Sequence, residues 1–314
     1  MSTLTFIYIL TGIILIVASG QNLAKYSVLS ATKYGMSPFF IGSTVIAFGT
    51  SAPEMLTSLF AALDGKAVMV VGNVVGSNVA NIALVFGLTL SVLFFKRESF
   101  SAGPEILLNL IFLILSTLVI WVVIAINPFN IYSSFLLLLC LIGVIGTWYK
   151  KNLGTSVELK DTKEKFLMPK LLLSLIFLVL AAWLITKGAL NILSSLGVGE
   201  LFVGYTVLAI GTSLPEIAAS LALASKGRYE AVVGTLIGSN IFNGLFVLAI
   251  PGLLGSSSTF NYHQWIPLLF VLLTVTMIFS IYIFLRIKTP KRASLMISFF
   301  LFITYLLSLR LAYN

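Results

Sequence analysis

The stretch Gly49-Thr50-Ser51-Ala52-Pro53-Glu54 recurs as Gly211-Thr212-Ser213-Leu214-Pro215-Glu216. Each copy sets a carboxylate, a proline and two hydroxyls in the middle of a long apolar run. A charged side chain at bilayer depth costs about 2.5–3.5 kcal/mol on insertion scales, so such groups face a protein interior or a wet cavity and mark function. Two of them in matched settings predict one paired site.

The surrounding sequence is that of a membrane protein. Of 314 residues, 59% are hydrophobic and 9% charged, with a mean hydropathy of +1.09. A soluble domain cannot hide that much apolar surface. Apolar runs of about 20 residues or more, cut at Gly, Pro and charge clusters, predict ten membrane spans. They fall at 4–24, 36–63, 67–94, 103–126, 130–149, 168–195, 200–225, 229–254, 263–285 and 293–313. The expected fold is an all-α polytopic membrane protein. The first span lacks a small-residue cleavage site and is read as a retained helix. The lone Cys140 excludes a disulfide framework and reads as a small buried hydrophobe.

The net charge of +9 does not point to nucleic acid, because of where it lies. With the N-terminus outside, inner loops hold 16 of the 19 Lys and Arg, and only Lys66, Lys187 and Arg310 fall outside. That positive-inside bias predicts a multi-pass membrane protein with an external N-terminus and a cytoplasmic central loop. Lys25 and Lys187 are expected to snorkel at span ends. Trp121 and Trp148 are expected at membrane interfaces, as is Glu105.

Residues 41–54 align with 203–216 at an offset of 162, with 9 of 14 identical. The same offset aligns 71–81 with 233–243, with 6 of 11 identical. The chain therefore divides into a first five-helix repeat (1–149), a cytoplasmic linker near lipid headgroups (150–167) and a second repeat (168–314). Five is odd, so the second repeat enters the membrane in the opposite direction. Inverted repeats of this kind build secondary transporters, with sites near the midplane on broken helices.

Ala47, Thr50, Ser51 and Glu54 share one helical face. Pro53 has no N–H, so the Gly49 carbonyl loses its helical donor. Backbone oxygens freed at this depth are tolerated only where they line a cavity or are buried in protein. Ser77 and Asn81 share a face of the next span. The second repeat supplies Ala209, Thr212, Ser213, Glu216, Ser239 and Asn243. Every candidate ligand is a hard oxygen, which suits Ca²⁺ or Na⁺ rather than zinc or copper. Asn78 and Asn240 are read either as ligands or as braces of a helix break. His263, the only histidine, is read as a solvated loop residue. The sequence shows no nucleophile–base constellation and no phosphate loop, and no enzymatic activity, cofactor or obligate protein partner is expected.

The paired motifs Gly-Thr-Ser-x-Pro-Glu and Gly-x-x-x-Gly-Ser-Asn-x-x-Asn resemble the two α-repeats of the cation/Ca²⁺ exchanger superfamily, most nearly the Na⁺/Ca²⁺ exchangers in their minimal prokaryotic form. The resemblance covers both halves and implies a prokaryotic cell membrane. It implies antiport of Ca²⁺ against Na⁺ by alternating access. It implies Ca²⁺ on Glu54 and Glu216 with the backbone carbonyls of Thr50 and Thr212. It further implies Na⁺ sites at Ala47, Ser51 and Ser77 and at Ala209, Ser213 and Ser239, with the first span of each half sliding as a gate. Several relatives carry Asp where this chain has Asn243, so a K⁺ requirement is not expected here. Proton-driven exchange on the same fold and a cation channel stand as alternatives; Ser77 and Ser239 favour Na⁺ over H⁺.

Overall fold

The computed structural model describes residues 3–96, 106–153, 164–193, 200–255, 261–285 and 291–313. Among the described residues there is no strand, and each expected span is helical: α1 (Thr3–Tyr34), α2 (Pro38–Leu63), α3 (Ala67–Phe95), α4 (Ile106–Ile126), α5 (Ile131–Leu153), α6 (Leu167–Leu193), α7 (from Glu200–Val203 to Leu214–Ser225), α8 (Tyr229–Leu253), α9 (Ile266–Phe284) and α10 (Lys291–Tyr313). Helices prevail because hydrocarbon offers no partner for a backbone N–H or C=O, so each span must satisfy its own. Eight are long and apolar enough to cross a membrane as single rods, and the bent pair in α7 makes a ninth. The tenth, α6, is 27 residues long. This is an all-α polytopic membrane protein of two inverted five-helix repeats.

The first span is longer than expected. Its polar stretch, Gln21 to Lys33, reads as a span end, yet α1 continues as one helix of 32 residues. Hydroxyls there turn back onto the helix's own carbonyls, Ser27 to Ala24 at 3.3 Å and Thr32 to Leu29 at 3.0 Å. The helix stops only at Gly35, whose φ is +65°. At about 1.5 Å per residue such a rod spans about 48 Å, more than a hydrocarbon core of about 30 Å.

The centre consists of α2, α3, α7 and α8, with α8 buried along nearly its whole length. The halves interlock there: α2 crosses α8 and α3 crosses α7. The crossings run backbone to backbone. A Cβ on Gly76 would sit 2.5 Å from the Tyr205 carbonyl and 2.8 Å from Ala209 Cβ. A Cβ on Gly238, its counterpart, would meet the Ser43 carbonyl, with Ala47 Cβ at 2.6 Å. Small residues at these points let membrane helices approach closely.

Around this centre, α1 lies along α6, α4 packs on α9, α5 covers the far end of α8 and α10 covers the far end of α3. The last two contacts mirror each other: Ser134 donates to the Ala249 carbonyl at 2.8 Å, and Ser298 to the Gly87 carbonyl at 2.7 Å. Outward faces carry bare apolar side chains such as Ile14, Leu139, Ile142 and Phe299, as lipid requires.

Trp148 is buried, and its indole N–H donates to Asn109 Oδ1. Trp121 donates to the Tyr262 hydroxyl at 2.9 Å. Cys140 is partly buried against the core. Glu105 and linker residues 154–163 lie outside the described residues.

Candidate functional site

Each central helix is broken where the hexapeptide motif predicts. In α2 the regular helix stops at Thr50 and restarts at Ala52; in α7 it stops at Thr212 and restarts at Leu214. The hinge residues adopt nearly identical conformations: Ser51 at φ −80°, ψ 1° and Ser213 at φ −79°, ψ 0°. That is the bridge region, where a residue turns the chain without a full helical step. Proline in the first turn of each restarted helix is tolerated because its missing N–H would be unpaired anyway. Glu54 and Glu216 therefore stand in the first turns of 12-residue half-helices, where the helix dipole favours a carboxylate. The two parts of α7 meet at 42°.

All twelve residues singled out as ligands are buried: Ala47, Thr50, Ser51, Glu54, Ser77, Asn81, Ala209, Thr212, Ser213, Glu216, Ser239 and Asn243. Hydroxyls and acids of the two motifs meet at the interface of the repeats, here called the chamber, and the contacts cross between halves. Ser51 Oγ donates to Glu216 Oε1 at 3.3 Å. Thr50 Oγ1 lies 3.4 Å from Ser239 Oγ, and Ser77 Oγ lies 3.5 Å from Thr212 Oγ1. Thr212 and Ser213 flank the Glu54 carboxylate, while Thr50, Ser239 and Ser51 flank that of Glu216. Each acid thus sits beside the hinge hydroxyls of the opposite half, and Glu216 also sits beside Ser239 of its own half. Asn78 and Asn240 link α3 to α8: Asn78 Nδ2 donates to the Asn240 carbonyl at 3.1 Å and Asn240 Nδ2 to the Asn78 carbonyl at 3.3 Å, while Asn78 Oδ1 is buried without a partner. Asn81 Nδ2 donates to Asn240 Oδ1 at 3.0 Å.

Much of the oxygen in this chamber has no hydrogen-bond partner. Both carboxylate oxygens of Glu54, Glu216 Oε2, Asn81 Oδ1, Asn243 Oδ1 and Ser213 Oγ are buried and unpaired. Burying ionised carboxylates without partners is strongly unfavourable. Oxygens gathered this way are complementary to a cation. Among the described residues no group of three or more His, Cys, Asp and Glu gathers, so the donor set is two carboxylates supplemented by neutral oxygens. A cavity of about 520 Å³ reaches the chamber's edge at Pro53 and Thr212, with Leu56, Thr57, Leu208 and the α6 residues Trp183 and Lys187 in its wall.

With this geometry in place, comparison with known proteins is decisive. The profile of the sodium/calcium exchanger protein family matches residues 4–149 and 167–314. The chain belongs to this family. Among its relatives, the inner membrane protein YrbG of Escherichia coli is 30% identical over 90% of each chain. The sodium/calcium exchanger MaX1 of Methanosarcina acetivorans is 26% identical over 81% of this chain and 84% of its own. The solved sodium–calcium exchanger NCX_Mj superposes with a TM-score of 0.81 at 27% identity, covering 99% of both chains.

Other residues of this exchanger family member fall outside the chamber. His263 is exposed in the short Tyr262–Gln264 turn. Lys25 does more than snorkel, pairing with Glu164 at 3.0 Å, and Glu164 also pairs with Lys170 at 2.6 Å. These lysines, Lys170 foremost, hold the Glu164 carboxyl below the usual range. Lys187 Nζ lies over the Trp183 ring at 4.7 Å from its centroid. Asn73 was not singled out from sequence, yet it is buried and bonded to Ser58 Oγ at 3.1 Å and Thr212 Oγ1 at 3.3 Å. The available signal was spacing: Asn73 lies four residues before Ser77 and eight before Asn81, on the same helical face.

Proposed function

We propose that the protein is a secondary antiporter that exchanges Na⁺ for Ca²⁺ across a membrane by alternating access. Glu54 and Glu216, with the backbone carbonyls of Thr50 and Thr212, hold Ca²⁺, and their two charges neutralise one divalent ion. Na⁺ takes the flanking oxygens at Ala47, Ser51 and Ser77 and at Ala209, Ser213 and Ser239, with Asn81 and Asn243 beside them. One observation carries this reading above the others: two buried carboxylates on mirrored half-helix N-termini, with three of their four oxygens unpaired. A chamber left with two bare carboxylates would repel itself, so departure of Ca²⁺ favours entry of other cations.

The family match over 4–149 and 167–314 supports a reading as two repeats, 1–149 and 168–314, joined by a linker at 150–167. The charge distribution supports an external N-terminus and a cytoplasmic linker, and the family resemblance supports a prokaryotic cell membrane. Asn243, an amide rather than an acid, supports exchange that does not need K⁺.

Radiolabelled Ca²⁺ uptake into proteoliposomes tests the proposal. An outward Na⁺ gradient at equal pH on both sides is expected to drive uptake, and abolishing that gradient to stop it. Uptake that responds to a pH gradient alone would refute it, as would Ca²⁺ flux that needs no counter-ion.

A further inference from the structure

The Thr50–Ser239 and Ser77–Thr212 contacts mirror each other at the offset of 162, as do the two bonds between Asn78 and Asn240; the contacts of Asn73 have no mirror image. Asn73 lies on α3 and is 1% exposed. Its amide spans three elements. Nδ2 donates to Ser58 Oγ at 3.1 Å and to Thr57 Oγ1 at 3.4 Å, both on the half-helix that carries Glu54. Oδ1 lies 3.3 Å from Thr212 Oγ1, a hydroxyl at the hinge of α7 that also reaches the Leu208 carbonyl of its own helix at 2.8 Å. Thr57 in turn donates to the Pro53 carbonyl at 2.8 Å, one residue from Glu54. Thr57 and Thr212 also both line the 520 Å³ cavity, so the amide sits behind two of its walls.

The counterpart position in the second repeat is Thr235. Its hydroxyl turns back to the Ala231 carbonyl of its own helix at 2.8 Å. The counterpart of Ser58 is Ser220, whose hydroxyl is buried and unpaired. The counterpart of Thr57 is Ala219, which has no hydroxyl. The half-helix bearing Glu216 is thus not tied to α8 in this way.

We infer that Asn73 is a positioning residue of the ion chamber: its amide fixes the Glu54 half-helix and Thr212 relative to one another, and so makes the Glu54 side the pre-organised half of a nominally symmetric site. The inference rests on the proposed exchange function. Partners that orient the ligands of a metal site matter to affinity almost as the ligands do. Ca²⁺ needs about 6–8 oxygens in a fixed arrangement. Loosening one wall therefore weakens Ca²⁺ binding more than it weakens Na⁺ binding.

The test replaces Asn73 by the residue the other half carries. In Asn73→Thr, half-saturation for Ca²⁺ is expected to rise about tenfold. Half-saturation for Na⁺ should rise less, and the maximal exchange rate should stay within about twofold. The reciprocal Thr235→Asn gives Ser220 a partner and should lower half-saturation for Ca²⁺. Equal losses of rate and affinity for both ions, in step with lost folded protein, would show a merely structural amide and overturn the inference. Half-saturation unchanged for both ions in Asn73→Thr would also overturn it. Should Asn73→Thr fail to fold, an unchanged Ca²⁺ affinity in Thr235→Asn would do the same. Equilibrium ⁴⁵Ca²⁺ binding to purified protein reads Asn73 independently of transport. A wild-type protein that binds Ca²⁺ but shows no Na⁺-driven uptake would defeat the antiport reading and leave the Asn73 comparison measurable.

Discussion

Thr50 meets Ser239 and Ser77 meets Thr212 at nearly the same separation, 3.4 and 3.5 Å, and the two hinge serines share their backbone angles. A short distance away the halves part company. Asn73 ties Glu54's half-helix to its surroundings, whereas Thr235 bonds only to its own helix. Asn81 is hydrogen-bonded to Asn240, whereas both amide atoms of Asn243 are unpaired. In α3 the turn Asn81–Phe86 is π-helical, whereas in α8 the matching region tightens to a 3-10 turn at Val247–Ala249. There Pro251 stands where the first half has Thr89, and its missing N–H removes a donor from that turn. Beyond the hinges, α1 lies against Ala218, while Leu56 at the corresponding place lines an open cavity beside α6. The hinge hydroxyls are thus arranged symmetrically, while the amides and the surroundings of the half-helices are not.

The largest expected effects probe the symmetric part. Glu54→Gln and Glu216→Gln should each abolish Ca²⁺ exchange in proteoliposomes while the protein remains folded. Near-normal transport by either would break the equivalence of the two acids. Next come the interlocking crossings. Gly76→Val and Gly238→Val each force a side chain into backbone of the opposite half and should destabilise the protein by about 1–3 kcal/mol. Similar falls in Tm are predicted for both; a large fall for only one would show that the crossings differ. Asn243→Asp then sharpens the asymmetry by turning an unpaired amide into a carboxylate. It should alter the Na⁺ or K⁺ dependence of exchange, measured by ion substitution, and an unaltered dependence would remove the weight placed on that residue.

The smallest effect lies outside the chamber, at Glu164. Its carboxyl is held low by Lys170 and Lys25, so the contact is present above the usual carboxylate range and is lost as pH falls through the lowered value. Exposed pairs contribute little and are screened by salt. Glu164→Gln is expected to change Tm slightly at neutral pH and low salt, with the difference from wild type vanishing in high salt and in acid. A difference that persists in both would mean the linker end is held by something other than charge.

The paired hexapeptides made the hinges legible in the sequence, because a proline inside an apolar span removes a donor from the helix and forces a break there. The offset of 162 likewise made the inversion legible. Most span ends were readable from Gly, Pro and charge. The end of α1 was not, because a polar helix that satisfies its hydroxyls on its own carbonyls looks like a loop in one dimension. The π-helical turns at Gly42–Ile46 and Gly204–Leu208 were hidden too, since an extra backbone residue per turn leaves no mark on composition. The crossed partnership of each acid with the opposite half's hydroxyls depends on packing between helices far apart in sequence. Spacing reveals which residues share a face, as with Ser77 and Asn81, but not which helix that face meets. Asn73 illustrates the difference: its importance lies wholly in neighbours on α2 and α7.

Equilibrium ⁴⁵Ca²⁺ binding to the purified protein tests the paired-carboxylate chamber most directly. The expected result is one Ca²⁺ per chain, displaced by Na⁺, and no specific binding when Glu54 and Glu216 are both replaced by Gln. Undiminished Ca²⁺ binding in that double variant, or binding indifferent to Na⁺, would contradict it.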